Sequence, residues 1–276
     1  MENPIEVSLP GGIALEGGCE RHALLRPVTG FIEKHIHEVA ARARNAPAAV
    51  SEILGAALEC VGTRAVDRWL VSDLGIADRQ YLVLRLAILT RGSDVWMQAV
   101  CTSCGAPFDL NVDIGGIPVK QAAAGYPLAE IELPRGTLTV RVPNGGDQEA
   151  VCGLPPEEAE MRLRERCVLE MDGIPTTAEF ASRLEPWEVA AIESALDEVS
   201  PQLATTLTTR CPECAAEQAV HLQPYALLDL DRNALLEDIH ALARHYHWSE
   251  EQILALPRMR RRQYLALIDR DRGLHS

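Results

Sequence analysis

Four of the eight cysteines form two C-x-x-C pairs, Cys101 with Cys104 and Cys211 with Cys214. Each pair places two thiols on one tight turn. Two such turns that face each other supply the four tetrahedral sulfur ligands that Zn²⁺ prefers. Strand-like sequence enters and leaves both pairs, as in a zinc ribbon. The sequence therefore predicts one structural zinc site made by these four cysteines.

The two pairs lie in segments that weakly repeat one another. The stretch VCTSCGAPFDLNVDI at 100–114 is similar to RCPECAAEQAVHLQPY at 210–225. Between Cys104 and Cys211 lie 106 residues, too many for a structureless loop inside a compact domain. Because this stretch contains a predicted hairpin and predicted helices, we expect it to fold as an insertion whose two ends are clamped together by the metal.

Other chemistries of these pairs stay open. The two turns could be coincidental and carry buried or redox-active thiols. A thioredoxin-like redox role requires a C-x-x-C at a helix N-terminus, however, and both pairs have strand-like flanks. If a metal binds, four thiolates leave no position for water, so the metal would be structural. No nucleophile elbow, HExxH, phosphate-loop or dinucleotide pattern is present either, and we expect a protein that is not an enzyme.

The remaining candidate residues have simpler interpretations. Cys60 and Cys167 are predicted on apolar helix faces as small buried side chains. Arg85, within an apolar helix, is expected to need a carboxylate partner. The one dense basic cluster contains Arg258, Arg261 and Arg262 on one helix face, with Tyr264 nearby. These four residues are candidates for binding an acidic partner, and a solvated helix face is the alternative.

Hydrophobic periodicity predicts an α+β fold that is mostly helical, with a split zinc-ribbon-like pair of β-hairpins and an inserted α+β module. An irregular arm with short strands is expected over residues 1–26, and the helix at 77–89 is expected to be central and buried. Helices are predicted at 29–44, 47–60, 66–74, 77–89, 147–152, 156–170 and 186–198, and again throughout the last 50 residues. Strands are predicted at 95–100, 108–112, 131–133, 138–142, 203–209 and 219–222.

Five segments follow from this pattern. They are an N-terminal arm and helical region at 1–94, a first zinc-knuckle hairpin at 95–114, an acidic α+β insertion at 115–202, a second zinc-knuckle hairpin at 203–222, and a C-terminal helical region with a basic tail at 223–276.

Composition restricts the partners and the compartment. The net charge is −14, and residues 115–202 alone contain 7 basic and 16 acidic side chains. Because phosphate backbones repel so acidic a chain, general nucleic-acid binding is not expected. The opening residues lack the features of a signal peptide, and the longest apolar stretch, at 81–88, is too short to span a bilayer. We expect a soluble, cytoplasmic protein with no membrane partner and no small-molecule substrate.

Several stretches carry a family resemblance. They are LPGGIALEGG followed by RPVTG, RQYLVLRLAIL, the first C-x-x-C with its alternating strand, and the closing HALARHYHWSEEQILALPRMRRRQYLALI. They resemble the T-even phage-type baseplate proteins known as baseplate hub assembly chaperones, which belong to phage tails and related contractile injection systems. The resemblance covers residues 8–114 and 205–269 and is thinner across the acidic middle.

The resemblance implies a non-enzymatic part in assembling the central hub of a contractile-tail baseplate, with hub or spike proteins as partners. On this interpretation Arg258, Arg261, Arg262 and Tyr264 bind the partner. The long acidic insertion departs from the shorter pattern of the family, which leaves open whether the protein acts transiently or stays in the particle. Two other classes also stay open: a zinc-ribbon adaptor for nucleic acid or the transcription machinery, and a thiol-disulfide oxidoreductase.

Overall fold

The structure, a computed structural model, describes residues 3–15, 18–228, 232–271 and 273. Of Arg232 it describes the backbone only. The predictions for the N-terminal arm at residues 1–2 and 16–17 lie outside the described residues. The same holds for the C-terminal region at residues 229–231, 272 and 274–276.

The first run of elements, which we call unit 1, occupies residues 5–116. A long hairpin is followed by two helices, two short strands, two further helices and the first cysteine hairpin. In order, the elements are β1 Ile5–Leu15, β2 Gly18–Leu25, α1 Gly30–Arg42, α2 Ala46–Ala57, β3 Leu58–Val61, β4 Arg64–Ala65, α3 Arg68–Asp73, α4 Ile76–Arg91, β5 Asp94–Val100 and β6 Pro107–Asp113, closed by a 3₁₀ turn at Ile114–Gly116.

Unit 2, at residues 119–228, has the same order of elements apart from two short extra strands, β7 at its start and β12 before the second cysteine hairpin. These elements are β7 Val119–Lys120, β8 Leu128–Leu133, β9 Gly136–Arg141, α5 Gly145–Val151, α6 Pro156–Cys167, β10 Val168–Met171, β11 Ile174–Pro175, α7 Ala178–Ser182, α8 Pro186–Val199, β12 Gln202–Leu203, β13 Thr206–Arg210 and β14 Glu217–His221, closed by a 3₁₀ turn at Pro224–Leu228. Among the described residues three helices follow: α9 Arg232–Tyr246, α10 Glu250–Leu254 and α11 Arg258–Asp271.

The two units also share a sheet topology. Each builds a four-stranded antiparallel sheet, in the order β1-β2-β3-β4 and β11-β10-β9-β8. Asp67 and Thr177, separated by the same number of residues as Cys101 and Cys211, cap α3 and α7 by accepting a backbone N–H with their side chains. The internal repeat predicted around the cysteines therefore extends, in structure, over most of both units.

Helix α4 lies at the centre of the molecule, as predicted. Its buried residues include Leu82, Val83 and Leu86, which pack into the core formed by β1–β3 and α1–α3. Leu84 and Ala87, on another side of the same helix, pack beneath the two cysteine hairpins. Because α4 is apolar on several sides, it joins unit 1 to the region that carries the cysteines.

The α+β class is confirmed, with helix at 48% and strand at 28%. The two ends of the 115–202 segment lie next to each other, because strand β7 near its start pairs with strand β12 at its end. The division into five segments stays a prediction. Helix α10 begins with a capping box formed by Ser249 and Gln252.

Several local predictions are wrong. Residues 5–15 and 18–25 form two long paired strands instead of an arm with short strands, and their pairing is irregular between Ser8 and Ile13. Helix α2 ends at Ala57, so Cys60 lies on strand β3, because pairing with β2 and burial of Leu58 outweigh helix propensity. In the same way α6 ends at Cys167, and residues 168–170 are strand.

One arginine of α4 lies in another environment than predicted. The fully buried arginine of α4 is Arg79, while Arg85 is only half-buried. Arg79 lacks a carboxylate partner among its hydrogen bonds and is held by the carbonyls of Val71 and Pro47 and by the Ser51 hydroxyl.

Candidate metal centre

Each C-x-x-C pair lies at the tip of a two-stranded hairpin, and the first is the turn between β5 and β6. The amide of Cys101 donates to the carbonyl of Ala106 at 2.9 Å, and the amide of Gly105 donates to the carbonyl of Cys101 at 2.9 Å. Gly105 has a φ of +73°, a left-handed conformation that glycine adopts without strain. The amides of Ser103 and Cys104 point at the Cys101 sulfur, at 3.4 Å and 3.5 Å.

The second turn, between β13 and β14, has the same two backbone hydrogen bonds. The amide of Cys211 donates to the carbonyl of Ala216 at 3.0 Å, and that of Ala215 donates to the carbonyl of Cys211 at 2.9 Å. Ala215 holds a φ of +60° without being glycine. A non-glycine residue in this conformation is strained, so the surrounding structure must stabilise the turn.

The four sulfurs converge to a single cluster. All lie within 4.8 Å of one another. Two contacts join the two hairpins, with 3.7 Å between the sulfurs of Cys101 and Cys214 and 3.8 Å between those of Cys104 and Cys211. Four thiolates around one Zn²⁺ at about 2.3 Å would be about 3.8 Å apart, whereas a disulfide requires about 2.05 Å. The cluster could hold a metal ion, and its spacing fits a tetrahedral thiolate site.

The local field favours one thiolate and disfavours others. The backbone N–H of Cys104 lowers the pKa of the Cys101 thiol to about 6, against the opposing effect of burial. The N–H of Ala106 lowers the pKa of Cys104, but the adjacent sulfurs of Cys101 and Cys214 and burial raise it to about 12. Four thiols so close together therefore cannot all ionise unless a cation compensates their charge.

A glutamine side chain links the two hairpins beside the cysteines. Gln218 on β14 is buried, and its side-chain oxygen accepts the backbone N–H of Thr102 at 2.8 Å and the Thr102 hydroxyl at 3.0 Å. Its side-chain nitrogen donates to the carbonyl of Glu217 at 2.9 Å. Phe108 has the corresponding place on β6 and packs against Cys101 and Cys211. The role of Gln218 is not predictable from the sequence, because nothing in its own segment indicates a partner in the other hairpin.

The other four cysteines do not join the cluster. Cys167 is buried at the end of α6, as predicted, where burial raises its pKa to about 12. Cys60 is half-buried on β3, and Cys19 and Cys152 are exposed. The predicted set of four ligand candidates is therefore the set that the fold brings together.

The predicted partner-binding residues on α11 have different environments. Arg261 is fully buried, and its guanidinium bonds to Glu33 at 2.6 Å and lies 3.5 Å from Asp238. Arg258 is half-buried, 3.4 Å from Glu33. Arg262 is exposed. Tyr264 is half-buried and packs edge-on against the rings of Tyr246 and Trp248. Arg261 thus forms an internal ion pair, whereas Arg262 lies at the surface, where a partner can reach it.

A buried carboxylate that the sequence analysis missed holds the first hairpin. Asp78, in the first turn of α4, accepts the backbone N–H groups of Gly11 and Gly12 at 2.7 Å and 3.0 Å and lies 3.3 Å from the Tyr126 hydroxyl. Burial raises its pKa to about 6, although the two amides lower it. Glu188, in the same place on α8, binds Arg135 of the β8–β9 turn at 3.0 Å. Each unit thus anchors its hairpin to an acidic residue of the helix.

Within the part of the chain that the structure describes, no helix combines the length and the apolar character needed to cross a membrane.

Comparison with known proteins finds one family. The family described as T4 bacteriophage base plate protein matches residues 23–226, which is most of the chain and includes both cysteine pairs. The matched range also includes the acidic middle, where the resemblance seen in the sequence was thinnest. No curated protein and no solved structure matches the chain. The predicted resemblance to T4-type baseplate proteins is confirmed.

Proposed function

Because the chain belongs to the T4 bacteriophage base plate protein family, we propose that it is a non-enzymatic assembly protein of a contractile-tail baseplate, in a phage or a related injection system. The observation that carries this proposal is the family match over residues 23–226, which spans both units. Its partners are hub or spike components of the same baseplate. In this role the protein binds partners as an assembly chaperone or remains as a permanent part of the particle.

The cysteine cluster has a structural part in this proposal. Cys101 and Cys104 belong to unit 1, and Cys211 and Cys214 belong to unit 2, so a bound Zn²⁺ would cross-link the two units. All four positions around the ion are taken by thiolates, which leaves none for water or substrate. The sulfur spacing and the amides directed at Cys101 support zinc as the ion. The two hairpins would then form a zinc-ribbon-like pair that stiffens the molecule for partner binding.

Metal analysis of the purified protein tests the cross-link. We expect about one zinc per chain in the wild type, and none in a Cys211→Ser, Cys214→Ser variant. A folded wild-type protein that contains no metal would overturn the zinc site. The thiol-disulfide alternative predicts that outcome together with an alkylation-sensitive cysteine of low pKa.

Partner binding through α11 remains part of the proposal. It rests on exposed Arg262, with Arg258 and Tyr264 beside it, since Arg261 is buried against Glu33. A charge reversal, Arg262→Glu, should weaken co-purification with the hub or spike protein at least tenfold. Arg270→Glu, at an exposed site on the same helix, serves as the matched control and should leave binding within twofold. Equal binding of both variants would remove α11 from the interface.

The nucleic-acid alternative makes a different prediction. An adaptor for DNA or RNA would show binding that weakens steeply with salt, because phosphate contacts release counterions. The family match does not favour this class, and the net charge of −14 opposes it.

A further inference from the structure

Two corners between helices in this molecule each hold the start of a third helix. The first corner lies between α3 and α4. The carbonyl of Leu74 accepts the backbone N–H of Gly145 at 3.0 Å, and Gly75 forms a β-bridge with Asn144. Asn144 caps α5 by accepting the N–H of Asp147, so unit 2 docks onto unit 1 through the N-terminus of its own helix.

The second corner lies between α10 and α11 and repeats this arrangement. The carbonyl of Leu256 accepts the backbone N–H of Gly30 at 3.2 Å, and Pro257 forms a β-bridge with Thr29. Thr29 precedes α1, so unit 1 docks onto the C-terminal helices through the N-terminus of that helix.

The two docked segments share a short chemical signature. Both come from the end of a hairpin, and both open the helix with Thr or Asn followed by Gly. A Cβ on Gly145 would overlap the Arg79 side chain, and a Cβ on Gly30 would overlap Leu254 and lie 3.0 Å from Nη1 of Arg261. Close approach of the two backbones therefore requires glycine at this position.

Unit 2 contains a third corner of the same kind, between α7 and α8. Leu184 corresponds to Leu74 and Leu256, and Thr177 caps α7 as Asp67 and Ser249 cap α3 and α10. Among the described residues no backbone N–H donates to the Leu184 carbonyl.

This third corner is open to solvent. Glu185, Pro186 and Trp187 are all exposed, Trp187 by 53%, whereas the equivalent residues of the first corner, at 75–77, are buried or half-buried. In the second corner, which is filled, the equivalent residue Met259 is itself 66% exposed, so the exposure of Trp187 places this side chain at the rim of the corner. A large exposed apolar side chain at the rim of an unfilled corner is a feature of interaction surfaces.

A second copy of this chain cannot fill the third corner in the same way, because its Thr29–Gly30 and Asn144–Gly145 segments are both used internally. We propose that the corner formed by Leu184, Glu185 and Trp187 is a docking site for another baseplate protein. The segment bound is the N-terminus of a helix that opens with Thr, Ser, Asn or Asp followed by Gly. This inference rests on the proposed baseplate function and names the surface and the kind of segment that carry it.

The third corner also restricts which residue can lie three positions after the glycine in the bound segment of the partner. Val189 lies where the other corners have Arg79 and Arg261, so this position of the third corner has no buried cation that could bind a carboxylate of the partner. Glu33, three residues after Gly30, satisfies Arg261 in the second corner. A carboxylate at that position would have no counter-charge at Val189, and the partner should carry an uncharged residue there. The positive end of the docked helix suits unit 2, whose segment 115–202 has 16 acidic and 7 basic residues.

The test uses the full-length chain and the structural proteins of the same baseplate, each purified and titrated separately. Trp187→Glu should weaken binding of the partner at least tenfold. Trp69→Glu, which changes another exposed tryptophan, on α3 and 73% exposed, should leave binding within twofold. A photo-cross-linking residue, p-benzoylphenylalanine, in place of Trp187 should label a helix start with the Thr/Ser/Asn/Asp–Gly signature.

The outcomes separate the two proposals. If a baseplate protein binds the wild type and Trp187→Glu equally well, or if the cross-link maps to a second copy of this chain or to a segment without the signature, the docking corner is wrong and the baseplate function stands. If none of the baseplate proteins binds the wild type, the proposed function fails and the docking corner fails with it. Unfolding curves of both tryptophan variants should match the wild type, since both side chains are exposed.

Discussion

Glu33 and Arg261 are 228 residues apart in the chain, yet they form a buried ion pair with 2.6 Å between Oε1 and Nη2. The pair joins α1 of unit 1 to α11 at the C-terminus. Both side chains are almost completely withdrawn from water. An ion pair in this environment is held by its hydrogen bonds and its geometry, and either charge alone would be strongly unfavourable.

Removal of one member of this pair should destabilise the protein. Arg261→Met leaves Glu33 buried without its main counter-charge, and we expect the free energy of unfolding to fall by about 3–5 kcal/mol. Denaturant unfolding measures this loss. The double variant Glu33→Gln, Arg261→Met should recover much of it, because the side chain at position 33 is then neutral and no longer needs the charge of Arg261. A single variant as stable as the wild type would show that the pair is not buried in solution.

Two glycines in helices should respond to alanine in opposite directions. Gly145→Ala introduces a Cβ that overlaps the Arg79 guanidinium, and overpacking of this kind costs about 1–3 kcal/mol. Gly55, exposed on α2 with nothing near its Cβ position, is the matched control, and Gly55→Ala should stabilise by about 0.5–1 kcal/mol. Thermal unfolding of the two variants distinguishes them by sign. A neutral Gly145→Ala would contradict the close docking of α5 on the α3–α4 corner.

Loss of one cysteine of the cluster should affect both metal content and stability. Cys104→Ser removes a thiolate ligand, and we expect loss of the bound zinc and a drop of about 3 kcal/mol or more in stability, or roughly 10 °C in Tm. Cys152→Ser changes an exposed cysteine outside the cluster and should alter neither quantity. Elemental analysis and thermal unfolding of the same samples supply the measurements. Equal metal content in the two variants would disprove ligation by Cys104.

The pKa of Asp78 predicts a pH dependence of stability. Burial raises this pKa from 3.8 to about 6 in the folded protein, so between these values the native state binds a proton that the unfolded state does not. The contribution of Asp78 is therefore most favourable below about pH 4 and is lost as pH rises through about 6, a change on the order of 2–3 kcal/mol.

Asp78→Asn tests this dependence, because an asparagine resembles the protonated carboxyl and cannot ionise. Relative to the wild type, the variant should gain stability as pH rises from 4 to 7. Comparing the two proteins at each pH cancels the titration of all other groups. A stability difference that is constant over this range would show that Asp78 titrates with an ordinary pKa.

Much of the local structure could be predicted from the sequence. The strands around both cysteine pairs, the helices α1, α3, α4 and α8, and the β8–β9 hairpin follow from periodicity, capping residues and proline positions. The helix ends of α2 and α6 could not be predicted. Their last predicted turns are strands because β2 and β9 offer edge partners, and that competition is decided between segments distant in sequence.

The sequence by itself determined the ligand candidates and the family. Cys101, Cys104, Cys211 and Cys214 are identified by spacing alone, because a C-x-x-C turn is a local feature of the chain. Only the tertiary structure decided that the acidic middle repeats the element order of unit 1, that Gln218 links the two hairpins, and that Arg261 faces Glu33 while Arg262 faces solvent. These relations depend on which surfaces meet when the elements pack, and the buried contacts that select them join residues with no periodic relationship along the chain.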